Sequence, residues 1–141
     1  MKATTLMLVE DNPDDVELTL RVLKRHHPSV QVRVAQDGVE AVDQLHGPAA
    51  TQTPLPALVL MDLNMPRMGG LEALRRIRAE ARTRLLPVVV LTTSGQETDI
   101  HASYAAGANS FVRKSVAFEA FEDTVRMLGH YWLGLNVPPP A

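Results

Sequence analysis

The segment ALVLMDLNMP, residues 57–66, begins as an apolar run typical of a buried strand and then places a carboxylate, Asp62, at the end of that run. Burying an ionised carboxylate is costly unless a cation or hydrogen bonds compensate for the lost water. This segment therefore predicts a core strand whose terminal acid has charged or hydrogen-bonding partners elsewhere in the chain.

Two sequence periods alternate on either side of this strand. Helical spacing of apolar residues, clearest near Val16 and near Phe121, separates the runs of strand length. Five strands alternating with five helices predict an α/β fold in which helices cover both faces of a parallel sheet. The runs that we interpret as strands are rich in β-branched residues and cover residues 6–9, 30–34, 58–61, 88–91 and, more weakly, 110–112.

Length and composition fit one globular domain, with 141 residues of which 45% are hydrophobic and 21% charged. The net charge of −2 and the lack of a basic block argue against nucleic-acid binding. Without cysteine, the chain has no disulfide and no thiolate metal site. The acidic amino terminus does not resemble a signal peptide and no apolar run is long enough to span a membrane, so we expect a cytoplasmic protein without membrane association.

Polar side chains end four of the five predicted strands. Glu10 and Asp11 follow the first strand, Asp62 the third, Thr92 ends the fourth, and Lys114 follows the fifth. Ligands of open parallel sheets bind at the carboxyl ends of the strands, where the strand order reverses. A single polar residue after a strand usually only begins a loop, but four such ends together would require four coincidences.

The residue types at these strand ends suit phosphoryl transfer to an aspartate. Three crowded carboxylates repel one another, and Mg²⁺, a hard cation that prefers oxygen ligands, would relieve that repulsion. The Lys114 ammonium and the Thr92 hydroxyl could hold the oxygens of a phosphoryl group. The set thus comprises a carboxylate nucleophile, a metal site and two donors.

The segment EDNPDD, residues 10–15, contains two further acids. Asn12 is a favoured helix N-cap and Pro13 suits the first helical position. Asp14 and Asp15 then lie in the first turn, where the helix dipole favours negative charge. We therefore interpret Asp14 and Asp15 as helix-start residues.

The combination of these motifs resembles the receiver domain of two-component response regulators. The similar segments are VED at 9–11, LMDLNMPRMGG at 60–70, VVVLTTSG at 88–95 and AAGANSFVRKS at 105–115. The resemblance implies a flavodoxin-like (βα)5 receiver fold over residues 1–128, followed by a carboxy-terminal extension over 129–141. It also implies a protein that catalyses only its own phosphorylation and dephosphorylation, and a sensor histidine kinase as partner.

Carried over by position, the resemblance makes Asp62 the phosphoacceptor. It makes Glu10, Asp11 and Asp62 ligands of Mg²⁺, joined by the backbone carbonyl of Asn64. Glu10 stands where Asp is commoner in the family, and its longer side chain favours Asp11 over Glu10 as the direct metal ligand.

The resemblance also assigns residues on the last two strands. Thr92 and Lys114 would contact the phosphoryl group, and Thr92 and Phe111 would be switch residues. An ordinary core aromatic is an equal alternative for Phe111. Thr93, which stands where a smaller residue is common, would narrow access to the site.

Ser115 departs from the family, which usually has proline after the lysine and often a cis peptide there. A cis peptide without proline costs about 3–4 kcal/mol. Either that strain is held in this chain or the turn is rebuilt.

The segment YWLGLNVPPP, residues 131–140, adds apolar residues after the last predicted helix. So much apolar surface should be buried, either against its own domain or against a second copy in a homodimer. A tail of this kind resembles that of the single-domain regulators of phytochrome-type histidine kinases, which suggests a bacteriophytochrome as the kinase. The dimer candidates are Tyr131, Trp132, Leu133 and Leu135.

Three functions are compatible with this pattern. The first is a phosphorylated switch, the second an interaction module that is never phosphorylated, and the third an aspartyl-phosphate phosphatase. The phosphatase is disfavoured because Asn64 stands where such enzymes usually carry a second acid. All the polar side chains expected at the strand ends are present, which favours the phosphorylated switch. An interaction module that is never phosphorylated would be expected to have lost at least one of them.

Overall fold

The computed structural model describes residues 4–48, 50 and 53–140, and contains the five predicted strands and five predicted helices. Strand β2 both begins and ends one residue later than predicted, while β1, β4 and β5 extend one residue further at one end. The strands are β1 (Thr5–Val9), β2 (Gln31–Ala35), β3 (Leu58–Met61), β4 (Val88–Thr92) and β5 (Ser110–Arg113). The helices are α1 (Pro13–His26), α2 (Gly38–His46), α3 (Gly70–Ala79), α4 (Glu97–Ala105) and α5 (Phe118–Gly129), followed by a π-helical segment, His130–Leu135.

All neighbouring strands are parallel, in the order β2-β1-β3-β4-β5. The chain goes outward from β1 to β2 and then returns past β1 to form β3. The strand order therefore reverses between β1 and β3, which is where such folds place their ligand sites.

Side chains of alternate residues on the central strands point into two separate hydrophobic cores, one on each face of the sheet. Met7 and Val9 face the core beneath α2 and α3, whereas Leu6 and Leu8 face the core beneath α1 and α5. The strands β1, β3 and β4 are buried along their whole length. The edge strands β2 and β5 are partly exposed, because each has a neighbour on one side only.

Side chains cap two of the helices that start at the carboxyl edge of the sheet. Asn12 accepts hydrogen bonds from the backbone N–H groups of Asp14 and Asp15, as predicted. Asp37 caps α2 by accepting from the Glu40 N–H at 2.9 Å. Among the described residues, no helix combines the length and the hydropathy needed to cross a bilayer.

The four apolar residues of the carboxy-terminal segment divide into two pairs. Trp132 and Leu133 pack against the core beneath α1 and α5, which matches the first alternative for this segment. Tyr131 and Leu135 keep 49% and 63% of their surface exposed. The segment therefore covers its own domain with one pair and presents the other to solvent.

Candidate active site

Three carboxylates meet where the strand order reverses. Glu10 and Asp11 directly follow β1 and Asp62 directly follows β3; these strands are neighbours with Val9 opposite Met61. Each residue offers a carboxylate oxygen, and these oxygens all lie within 4.8 Å of one another. The adjacent strand ends thus bring together the three acids that the sequence singled out.

Lys114 reaches this cluster from the end of β5. Its Nζ contacts a Glu10 carboxylate oxygen and lies 3.0 Å from Asp15 Oδ2 and 3.6 Å from Asp62 Oδ2. Only 5% of the Lys114 side chain and 12% of the Asp62 side chain are exposed. A buried ammonium is tolerable here because several carboxylates surround it.

Burial and charge shift the pKa values of this pair. Burial is the main cause that raises the pKa of Glu10 to about 7, and the negative charge of Asp62 adds to it, against the opposing effect of Lys114. Burial by itself would lower the pKa of Lys114, but its contacts with Glu10, Asp62 and Asp15 outweigh burial and raise it. The site therefore retains a lysine cation.

Thr92 is fully buried, and its hydroxyl has no hydrogen-bond partner among the described residues. A buried hydroxyl normally has a partner, so this one is available to a group that enters the site. Phe111 is half-buried, and its N–H donates to the Tyr104 hydroxyl at 3.2 Å. Asn64 is exposed in the loop between β3 and α3, and Thr93 is exposed after β4.

The Lys114–Ser115 peptide is trans, since the described residues contain no cis peptide bond. The Ser115 hydroxyl accepts a hydrogen bond from the Ala117 N–H at 3.2 Å, and the Lys114 N–H donates to the Thr92 carbonyl at 2.7 Å. Of the two alternatives for this turn, the structure has the one without a cis bond.

Sequence analysis missed the contact of Asp15 with Lys114. It gave Asp15 only a helix-start role, and the residue does lie in the first turn of α1. The signal was available, because α1 begins right after β1 and its first turn must lie at the same sheet edge as the end of β5.

The donor set fits a hard divalent cation. Three carboxylates supply oxygen ligands, and the exposed Asp11 lies on the solvent side of the cluster. Glu10 is already engaged by Lys114 and by the Asn12 N–H at 3.2 Å, so Asp11 and Asp62 are the freer ligands.

Comparison with known proteins identifies the family. Residues 6–126 match the model of the response regulator receiver domain. The chain belongs to this family. As in its other members, the receiver fold carries a phosphorylated aspartate in two-component signalling, and a histidine kinase is the partner that such a domain implies. Receiver domains bind Mg²⁺ in an acidic pocket and are generally not enzymes in their own right.

Relatives cover almost the whole receiver. The probable methanogenesis regulatory protein FilR2 of Methanothrix harundinacea is 37% identical over 95% of this chain and 86% of its own length. Response regulator Rcp1 of Synechocystis sp. is 34% identical over 96% of this chain and 93% of its own.

Solved structures agree with the fold. The phosphorylated cyanobacterial phytochrome response regulator RcpA superposes with a TM-score of 0.92 at 31% identity, covering 99% of this chain and 100% of its own. The Mn²⁺-bound form of Rcp1 gives a TM-score of 0.90 at 33% identity, covering 97% of this chain and 99% of its own. These matches confirm the predicted flavodoxin-like receiver fold.

Proposed function

We propose that Asp62 is the phosphoacceptor and that this receiver takes its phosphoryl group from a phosphohistidine of a sensor histidine kinase. The observation that carries the proposal is the meeting of Glu10, Asp11 and Asp62 around the end of β3, with Lys114 Nζ 3.6 Å from Asp62 Oδ2. A structural role for Asp62 alone would not require a buried ammonium this close to it.

The reaction is a displacement at phosphorus. A carboxylate oxygen of Asp62 forms the new P–O bond while the P–N bond to imidazole breaks, and the imidazole nitrogen keeps the electron pair. Lys114 and Thr92 donate hydrogen bonds to the oxygens of the transferred group. Glu10, Asp11, Asp62 and the Asn64 carbonyl would hold Mg²⁺, which would supply positive charge to those oxygens.

The same residues limit the chemistry to the protein itself. Asn64, two residues after Asp62, cannot act as the second acid of an aspartyl-phosphate phosphatase. We therefore propose that the protein catalyses only its own phosphorylation and dephosphorylation, with Thr92 and Phe111 responding to the modification.

Mass mapping tests the phosphoacceptor. Incubation with a small phosphodonor and Mg²⁺ should add one phosphoryl mass to the peptide that contains Asp62. The Asp62→Asn variant should lose the added mass, while Asp14→Asn, which changes an exposed acid of the nearby α1 turn, should retain it. Modification of Asp62→Asn at the wild-type level would refute the assignment, and an unmodified wild type would favour the interaction module.

We further propose that the kinase is of the phytochrome type. The support is the similarity to RcpA, a phytochrome response regulator, across 99% of this chain. Phosphotransfer from a panel of purified histidine kinases tests the choice, with phytochrome kinases expected to be fastest. The cytoplasmic location and the lack of nucleic-acid and membrane partners stay predictions.

The carboxy-terminal extension, residues 129–141, is our candidate for homodimerisation of the 1–128 receiver. Tyr131 and Leu135 are exposed and adjacent to Trp132 and Leu133, which are anchored on the domain. Exposed aromatic and aliphatic side chains of this kind supply much of the energy at interface centres.

Light scattering over a range of concentrations tests the dimer. The full chain should dimerise more tightly than a version ending at Gly129. The double variant Tyr131→Ser and Leu135→Ser should weaken the dimer without uncovering the domain core. Equal masses for all three proteins at every concentration would refute the role of this segment.

A further inference from the structure

The loop between β3 and α3, residues 63–69, is closed at its base. The Gly70 N–H donates to the Leu63 carbonyl at 2.9 Å. A Cβ on Gly70 would lie 2.3 Å from the Asp62 carbonyl oxygen, so only glycine allows this approach. The loop that follows Asp62 therefore starts and ends at one fixed point.

Near its far end the loop contains a strained turn at Arg67. The φ angle of Arg67 is +64°, and no other residue except glycine in the described chain has a positive φ. The Met68 N–H donates across Arg67 to the Pro66 carbonyl at 2.7 Å, which defines a γ-turn. A γ-turn with positive φ is rare and strained, and such strain persists only where surrounding contacts hold it.

Those contacts come from the start of α2. Arg67 Nε donates to Asp37 Oδ2 at 2.7 Å, while the other oxygen of Asp37 caps α2. The Gly38 N–H donates to the Met68 carbonyl at 3.0 Å, and a Cβ on Gly38 would lie 2.6 Å from that oxygen. The Asp37 side chain is only 6% exposed, and its hydrogen bond with Arg67 is the main cause that lowers its pKa.

We propose that Arg67 is a positioning residue for metal binding and phosphoryl transfer. The closed base at Leu63 and the turn at Arg67, which begins with the Pro66 carbonyl, leave only residues 64 and 65 between them. This span includes Asn64, whose carbonyl is our proposed fourth ligand of Mg²⁺. The Arg67–Asp37 ion pair holds the strained turn, and the turn sets where that carbonyl lies. The inference rests on the proposed function of Asp62 and its neighbours.

A purely local role would have a different signature. If the ion pair only secured the loop to α2, its loss would lower stability and leave the metal site unchanged. Because glycine adopts positive φ freely, Arg67→Gly removes the ion pair and the strain together. We therefore expect the unfolding midpoint of the metal-free variant to be the same as or higher than that of wild type, while the metal site weakens.

The experiment compares wild type with Arg67→Gly, Arg67→Lys and Asp37→Asn. Asparagine can still cap α2, so Asp37→Asn removes the charge and keeps the cap. The matched control is Arg76→Gln, which breaks an exposed ion pair with Glu72 on α3. Amide hydrogen exchange of residues 63–70 is measured without metal, and the Mg²⁺ concentration for half-maximal thermal stabilisation is measured by titration. Small-donor phosphorylation is followed over the same titration.

Arg67→Gly and Asp37→Asn should speed exchange in the loop and raise the half-saturating Mg²⁺ concentration by about threefold to tenfold, toward the range typical of residues that orient metal ligands. Arg67→Lys should fall between them and wild type. A variant that combines Arg67→Gly with Asp37→Asn should bind Mg²⁺ no more weakly than either single variant, because both remove the same ion pair. The control Arg76→Gln should match wild type. If wild type is stabilised by Mg²⁺ and phosphorylated but Arg67→Gly behaves identically, the positioning role is wrong while the proposed function stands. If wild type shows neither response to Mg²⁺, the proposed function fails and the positioning role fails with it.

Discussion

The layer formed by α1 and α5 buries a basic group at each of its two ends, and the two groups have opposite surroundings. Lys114, at the active-site end, is enclosed by carboxylates and its pKa is raised. His27, at the far end of α1, has a buried ring nitrogen, Nε2, that lacks a hydrogen-bond partner in the part of the chain that the structure describes. Burial lowers the pKa of His27. Burial by itself disfavours both cations, so the difference lies in the acids.

The contrast shows how one layer serves two purposes. At its active-site end, the Lys114 ammonium and the surrounding carboxylates provide charges that can bind a phosphoryl group and a metal ion. At its far end, burial disfavours a charge on His27, and the packed residues continue into Trp132 and Leu133. A Cβ on Gly129 would lie only 2.6 Å from His27 Nε2, which shows how closely α5 covers the ring.

The largest expected effect comes from removing the buried cation. Lys114→Met should lower the free energy of unfolding of the metal-free protein by about 3 kcal/mol at neutral pH, because buried carboxylates lose their partner. Mg²⁺ should restore part of this loss. Urea unfolding checks both points, with the exposed residue Lys24→Met as control. Equal losses in the two variants would show that the acids do not depend on Lys114.

A smaller effect is expected from removing one acid. Asp11→Asn should raise the stability of the metal-free protein by about 1 kcal/mol, since one repulsive charge is lost. The same change should reduce the thermal stabilisation by Mg²⁺, because binding to the folded state is weakened. Melting curves with and without millimolar Mg²⁺ measure both effects. Coincident wild-type curves would count against a shared metal site.

The smallest effect concerns pH. His27 has a folded-state pKa below 6.5, so the unfolded state binds more protons and stability is lost as pH falls below 6.5. Glu10 has the opposite sign: its folded pKa of about 7 exceeds 4.5, so its contribution is lost as pH rises between these values. The pH dependences of the free energy of unfolding that come from His27 and from Glu10 therefore partly cancel in the metal-free protein.

Replacing His27 should reveal the change of stability with pH that comes from Glu10. In His27→Gln, metal-free stability should fall more steeply as pH rises from about 5 to 7 than in wild type. Urea unfolding across that range measures the slope, and the exposed neighbour His26→Gln serves as control. If the stability of His27→Gln changes with pH as it does in wild type, the pKa of the His27 ring is the same in the folded and the unfolded protein.

Much of the fold was predictable because strand and helix periods are local. The apolar run before Asp62, the Asn12 cap and the alternation of elements each depend on a few neighbouring residues. The meeting of Glu10, Asp11 and Asp62 also followed, since parallel strands bring their carboxyl ends to one edge.

What sequence missed depends on side-chain direction and on contacts between distant loops. The topology places Asp15 and Lys114 at one sheet edge, but the local sequence does not indicate that the Asp15 side chain turns toward Lys114. It also gives no sign that Arg67 reaches Asp37, thirty residues away. The division of the carboxy-terminal segment was likewise open, because Trp132 and Tyr131 are equally apolar in sequence but lie in different surroundings.

The central position of β1 has a consequence for biosynthesis. Strands β2, β1 and β3 are contiguous in the sheet and complete by Met61, so this part of the sheet can form before β4 and β5 have emerged from the ribosome. Glu10, Asp11 and Asp62 can then meet before Lys114 has emerged. During this interval a free divalent cation is the available counter-charge, so we expect Mg²⁺ to promote compaction of nascent chains that end before β5.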